Sequence, residues 1–102
     1  MVFKAAFSVR DTGRVRELVL RLSGELDSNS AHELEQRLRN LPEADVVVIE
    51  LRGLEFIDSS GLRVLVEAKR RGGEAVRLIG ARPPVTHVFA ESGADELLEN
   101  GV

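Results

Sequence analysis

Residues 51–62 read LRGLEFIDSSGL, and this stretch decides the fold of the chain. The β-branched run at residues 46–49 comes before it, and such a run is typical of a strand that is covered on both faces. Arg52-Gly53 is expected to end that strand, and residues 54–57 then form a short apolar segment. Apolar residues recur at helical spacing directly after residues 58–61, which predicts a helix there. The stretch is therefore a junction between buried β structure and an amphipathic helix.

The segments on the N-terminal side predict a hairpin followed by a helix. Residues 2–9 and 15–23 have strand character, with a turn sequence between them. Ser30 and Glu33 have the spacing of a capping box. We therefore expect residues 24–30 to form a polar loop, and the first helix to start at Ser30 and to end before Pro42.

The C-terminal side continues the alternation of helix and strand. Gly72-Gly73 is expected to end the second helix, and residues 76–79 predict a short strand. Pro83-Pro84 suits the start of a third helix, and residues 95–99 predict a last helical turn. The resulting order is β-β-α-β-α-β-α, an α/β fold whose parallel part requires right-handed crossovers.

Composition limits the classes of function. The 102 residues fit a single domain, and 14 basic against 17 acidic residues give a formal net charge of −3. The basic residues are scattered, which argues against a nucleic acid as partner; the cluster at residues 69–71 is interpreted as a charged helix end. No apolar run approaches the ~20 residues that span a bilayer, and Cys is absent. We expect a cytoplasmic protein that does not bind a membrane.

Ser59 and Ser60 stand where the predicted helix begins, and two interpretations of them remain open. The start of a helix carries unpaired amide hydrogens and the positive end of the helix dipole, so it tolerates a phosphate group. A serine there is also accessible to another protein. Asp and Ser are, however, favoured helix-capping residues, and capping alone explains their presence.

No constellation typical of an enzyme is found in the sequence. Ser59 lacks the Gly-x-Ser-x-Gly surroundings of a hydrolase nucleophile. His32 and His87 are the candidate bases, and neither has a carboxylate at motif spacing, so both are interpreted as structural or solvated. No His, Asp and Glu cluster predicts a metal site, and Gly72-Gly73 lacks the Lys-Ser/Thr of a phosphate-binding loop. We expect no cofactor.

The sequence resembles the STAS domain family, in particular the bacterial anti-sigma-factor antagonists. Three blocks carry the resemblance, which covers residues 15–99: Gly24-Glu25-Leu26-Asp27, the motif at residues 54–62, and Ser92-Gly93 before Asp95-Glu96-Leu97-Leu98. Ser30 and Ala94 depart from the residues that are common in relatives, and these departures concern local packing.

The resemblance implies both a fold and a switch. It implies a mixed sheet of four or five strands with helices mainly on one side, and Ser59 as a phosphate acceptor. The unphosphorylated antagonist would bind an anti-sigma factor, often itself a serine kinase, and so release the sigma factor. Phosphorylation would end the binding, and a serine phosphatase would restore it. The alternative is a STAS subunit of a transport, lipid-trafficking or stress-sensing complex.

The surface around the acceptor is the expected docking site, on a chain that is a monomer or a weak dimer. Two assignments stay open: Leu62 is either a docking or a core residue, and Arg63 either a docking residue or a solvated helix charge. The candidate partner-binding residues are Asp27, Ser28, Asp58, Ser60, Gly61, Leu62 and Arg63.

Overall fold

The computed structural model describes residues 2–99, and it has the predicted order of elements. The strands are β1 (Lys4–Asp11), β2 (Arg16–Leu26), β3 (Val46–Ile57) and β4 (Val76–Ile79), and the helices are α1 (Ser28–Arg39), α2 (Ser59–Gly72) and α3 (Val85–Glu91). Single 3₁₀ turns follow α2 and α3, at Gly73–Ala75 and Asp95–Leu97. The predicted order β-β-α-β-α-β-α is confirmed, with the first strand two residues further along than expected.

The four strands form one mixed sheet in the order β1-β2-β3-β4. β1 pairs with β2 antiparallel, because a short turn joins them, whereas β2, β3 and β4 are parallel. Each parallel connection contains a helix, as a crossover between parallel strands requires. The predicted mixed sheet is thereby confirmed at four strands.

The core lies between one face of the sheet and the helices. Side chains that are buried in a single cluster come from all three helices and from the three parallel strands, among them Leu34, Leu65, Phe89, Leu20, Ile49 and Leu78. The opposite face carries ion pairs, such as Arg21 with Glu50 at 3.9 Å and Arg77 with Glu99 at 2.7 Å. Successive side chains of a strand point to opposite faces of the sheet, so apolar and charged residues that alternate in sequence lie on different faces. No helix within residues 2–99 has the length and apolar character needed to cross a bilayer.

The predicted start of the first helix is wrong. β2 continues through Gly24 to Leu26, and α1 begins at Ser28 with Asp27 as its N-cap, so Ser30 is the third helical residue. The polar residues at the end of β2 hid this extension, because pairing with β3 holds them in a strand irrespective of their polarity. The expected box between Ser30 and Glu33 is replaced by one between Asp27 and Ser30.

Arg52-Gly53 does not end the third strand as predicted. β3 runs unbroken through Gly53, and the register with β2 shifts between Arg21 and Ser23. A Cβ atom on Gly53 would lie 2.8 Å from both the Leu22 carbonyl oxygen and the Ser23 Cβ atom. Glycine therefore allows the two strands to approach each other at this irregularity.

We expect Gly53→Ala to lower the free energy of unfolding by about 1–3 kcal/mol, because the new methyl group meets backbone that cannot move aside. Urea denaturation measures the change. Glu55→Ala, at an exposed position of the same strand, is the control and should stay within about 0.5 kcal/mol of the wild type. Equal stability of the two variants would contradict the close approach.

Candidate functional site

Two helices begin side by side at the carboxyl end of the sheet. Leu26 and Ile57, the last residues of β2 and β3, are register partners. Each is followed by an aspartate in extended conformation, Asp27 or Asp58, which caps the helix that follows. We call residues 27–30 and 58–61 together the twin-cap edge. Adjacent strands lie about 4.8 Å apart, so the structure brings the two parts of the predicted site together.

Asp58 occupies the amides at the start of α2. Its Oδ1 accepts hydrogen bonds from the backbone N–H groups of Ser60 at 2.9 Å and Gly61 at 3.1 Å. Its own N–H donates to the Leu26 carbonyl oxygen at 3.1 Å, which ties the junction to β2. The capping role that the sequence left open therefore belongs to Asp58 and not to either serine.

Ser59 presents its hydroxyl to solvent. It is the first residue of α2 and is exposed, whereas Ser60 is partly buried. Within residues 2–99 the Ser59 hydroxyl makes no hydrogen bond. The hydroxyl thus carries no structural contact that a modification would break.

Gly61 has a packing role. A Cβ atom there would lie 2.6 Å from Leu26 Cγ and 2.8 Å from the Leu26 carbonyl oxygen. Only glycine allows the first turn of α2 to approach β2 this closely. Gly61 is buried, so any contribution to a docking surface is through its effect on this turn.

Leu62 and Arg63 differ in exposure. Leu62 is partly buried and packs against the core cluster, which favours the core assignment for most of its side chain. Arg63 is exposed and forms no ion pair with any part of the described chain. It lies four residues after Ser59, the spacing at which helix side chains are neighbours. Arg63 is thus an available cation one turn from the exposed hydroxyl.

Asp27 caps α1 with a reciprocal pair of contacts. Its Oδ1 accepts from the N–H groups of Asn29 and Ser30, both at 3.0 Å, and its own N–H donates to Ser30 Oγ at 2.8 Å. Ser30 Oγ also lies 2.8 Å from the Glu25 carbonyl oxygen and 3.0 Å from Asp27 Oδ1, and its one hydroxyl hydrogen can be donated to either acceptor. Ser28 is exposed and its hydroxyl makes no hydrogen bond within residues 2–99. The sequence-based prediction did not include this capping contact of Ser30 with Asp27, although the three-residue spacing of the two residues is typical of a capping box.

The Asp27 carboxyl is held in its charged form by these donors. The Ser30 N–H lowers its pKa from the ordinary value of 3.8, the Ser30 hydroxyl adds to the effect, and partial desolvation opposes it. A folded-state pKa below the unfolded value stabilises the fold above the ordinary pKa. That contribution is lost as the pH falls through the lowered value.

The two histidines lie on exposed helix positions. His32 Nε2 is 3.4 Å from Gln36 Nε2, and His87 Nε2 is 3.6 Å from Glu91 Oε2 one turn away on α3. Among residues 2–99 no three His, Asp or Glu side chains are placed to hold a metal ion. An apolar groove of about 210 Å³ lies between α1 and α2 and contains none of the candidate residues.

Comparison with known proteins identifies the family. The family model described as "Mlab, STAS domain" matches residues 9–99. An anti-sigma F factor antagonist of Paenibacillus polymyxa is 30% identical over 88 residues, which are 79% of this chain and 74% of that protein. The structure of the anti-sigma factor antagonist SpoIIAA in its unphosphorylated form has a TM-score of 0.70 at 26% identity, covering 95% of this chain and 89% of that one. A sulfate transporter family protein of Wolinella succinogenes shares the fold, with a TM-score of 0.69 at 20% identity over 90% of this chain and 76% of that one.

We expect Ser30→Ala to destabilise the fold by about 1–2 kcal/mol, because it leaves the Asp27 N–H without its partner. Urea denaturation measures the loss. The control is Ser28→Ala, which removes an exposed hydroxyl two residues earlier and should change stability by less than about 0.5 kcal/mol. If the two variants were equally stable, the capping box would contribute nothing.

Asp27→Asn should make the protein less sensitive to acid. Asparagine also caps helices but has no carboxyl group to protonate. Because the pKa of Asp27 is lowered in the fold, wild-type stability should fall more steeply than that of Asp27→Asn as the pH drops below about 4. Denaturation curves between about pH 6 and pH 2.5 give the two slopes. Parallel slopes would show that Asp27 titrates alike in the folded and unfolded chains.

Proposed function

This chain belongs to the STAS domain family of the anti-sigma-factor antagonists, and on that premise we propose that its unphosphorylated form binds an anti-sigma factor and that phosphorylation of Ser59 ends the binding. The observation that carries the proposal is the exposed Ser59 hydroxyl at the start of α2, free of any hydrogen bond within residues 2–99. A kinase can reach such a hydroxyl without unfolding the domain.

The proposal assigns the chain a place in a cycle of partners. Binding the anti-sigma factor releases the sigma factor for transcription. The anti-sigma factor is a serine kinase that phosphorylates Ser59, and a serine phosphatase restores the free hydroxyl. In this cycle the chain acts in the cytoplasm as a binding protein and catalyses no reaction.

The caps around Ser59 make a phosphate unfavourable in an interface. A phosphoserine adds about −1.5 to −2 charges. The Ser60 and Gly61 amides that would otherwise stabilise an anion already bond Asp58. Asp27 follows the neighbouring strand, so the phosphate would join an edge that already holds two carboxylates.

The cost of burying the phosphate in an interface exceeds the stabilisation that the phosphate gains on the free domain. A helix dipole stabilises an anion by about 0.3–1 kcal/mol, and a surface pair between the phosphate and Arg63 contributes a similar amount. Burying a charge without a full partner in an interface costs several kcal/mol. The domain therefore stays folded when phosphorylated, while its affinity for the partner falls.

The docking surface is proposed to be the twin-cap edge with the turn that follows it. Ser28 and Ser59 are its exposed hydroxyls, and Asp58, Ser60 and Arg63 surround the acceptor. Asp27 fixes the start of α1, while Gly61 and Leu62 act mainly by packing. This division separates residues that would touch the partner from those that hold the surface in shape.

A second candidate function is that of a STAS subunit in a transport or lipid-trafficking complex. Two observations favour it: the matching family model carries the name Mlab, and a sulfate transporter family protein shares the fold. Such a subunit would keep its assembly partner whether or not Ser59 is phosphorylated.

The decisive experiment measures the affinity of wild-type, phosphorylated, Ser59→Asp and Ser59→Ala proteins for the anti-sigma factors of the same organism, by calorimetry. We expect phosphorylation to weaken binding by at least about tenfold, equivalent to ~1.4 kcal/mol. Ser59→Asp should weaken it less, because aspartate carries less charge, and Ser59→Ala should bind and resist the kinase.

Ser60→Ala is the matched control, one residue from the acceptor: it keeps the Ser59 hydroxyl, so the kinase should still add one phosphate to it, whereas Ser59→Ala should take up none. Melting temperatures should differ little between the phosphorylated and free forms, which separates lost docking from lost folding. Equal affinity of the two forms would overturn the switch. Stable capture by a transporter subunit irrespective of phosphorylation would favour the second candidate.

A further inference from the structure

The sheet ends at β1, and the outer edge of this strand has no partner strand within residues 2–99. The Thr12 N–H donates to the Val15 carbonyl oxygen at 3.1 Å, and from there the ladder with β2 runs without a shift along the whole strand. Backbone groups in an antiparallel ladder alternate between the two edges. Even-numbered residues of β1 therefore bond β2, and the odd-numbered residues direct N–H and C=O outward: Ala5, Phe7, Val9 and Asp11.

The same outward residues include exposed apolar side chains. Phe7 is 46% exposed and Val9 is 43% exposed. They stand opposite Leu20 and Leu18 of β2, which are buried, so their side chains lie on the helix-covered side of the sheet. The charged residues of β1, which are Lys4, Arg10 and Asp11, lie toward its two ends, and the apolar pair lies in its middle. An unpaired edge strand with exposed apolar side chains and no proline or bulge is a template for another strand.

We propose that β1 pairs antiparallel with β1 of a second copy of this chain, about a two-fold axis at Ser8. In this register Phe7 faces Val9 of the second copy, and Ala5 faces Asp11. Every outward backbone group of the strand then finds an outward group opposite, and two four-stranded sheets become one continuous sheet. Aromatic and β-branched residues that face each other across strands stabilise the pairing.

The side chains of β1 favour this register over the two that are shifted by one residue. An axis at Phe7 would place Lys4 opposite Arg10 of the second copy, and like charges that face each other are destabilising. An axis at Val9 would place Phe7 opposite Asp11. The axis at Ser8 avoids both and pairs the two exposed apolar side chains.

The dimer leaves the proposed switch free. The twin-cap edge lies at the ends of β2 and β3, whereas the new contact runs along the side of β1. A contact made by one strand lies near or below the ~1,200 Å² of the smallest specific interfaces. The dimer should therefore dissociate on dilution.

Cysteine crosslinking tests the register, since the chain has no cysteine of its own. Ser8 would face its copy as a non-hydrogen-bonded pair with Cα atoms about 4.5 Å apart, within disulfide range. Arg10 lies on the same face, but the two copies of it would be about 14 Å apart. Under mild oxidation Ser8→Cys should form the linked dimer at least about tenfold faster than Arg10→Cys. Equal rates would overturn the proposal.

Sedimentation equilibrium tests the surface without a crosslink. The wild type should dimerise reversibly, and Phe7→Lys should weaken the dimer by at least about tenfold, because it places a charge on the pairing edge. Phe56→Lys changes a comparably exposed aromatic, 45% exposed, outside β1 and should leave the dimer unchanged. A wild type that stays monomeric at all concentrations, or equal effects of the two lysines, would overturn the proposal.

Discussion

The pairing of Leu26 with Ile57 sets the geometry of the proposed switch. Because β2 and β3 are parallel neighbours that end at the same level, the helices that follow them must start together at one edge of the sheet. The aspartate after each strand then stands at the same place relative to its own helix. Gly61 completes the arrangement, since any larger residue would push α2 away from Leu26.

The caps also show how a structural role and the proposed regulatory role can be divided among the four residues 58–61. Asp58 takes the amides that a capping serine would use, and Gly61 permits the close packing. Ser59 is left with an exposed hydroxyl and no hydrogen bond within residues 2–99. Capping of α2 is thus assigned to the aspartate, while modification of Ser59 remains a proposal.

Periodicity was enough to predict the order of elements. The spacing of apolar residues distinguishes strands from helices, and glycine and proline mark the turns between them. The exact ends depended on tertiary contacts. Gly24 and Glu25 read as loop because they are polar or flexible, yet pairing with β3 extends β2 through them. Gly53 was expected to end the strand, yet it lies within β3 and allows the close approach to Leu22 and Ser23. A single sequence does not reveal which neighbour a glycine must meet.

The candidate site was predictable as a motif, but the reciprocal hydrogen bonds of Asp27 and Ser30 depended on knowing where α1 begins.

Under the proposed function, the switch requires no rearrangement of the fold. The two carboxylates of the twin-cap edge already bond backbone amides, so their charges are partly compensated before a partner arrives. A phosphate on Ser59 would find those donors in use, with Arg63 as the nearby cation and water as the remaining source of hydrogen bonds. Docking would remove that water, and the cost would then appear as lost affinity. The difference between the two states is thereby concentrated in one group at the surface, so the proposed switch needs no second conformation of the domain.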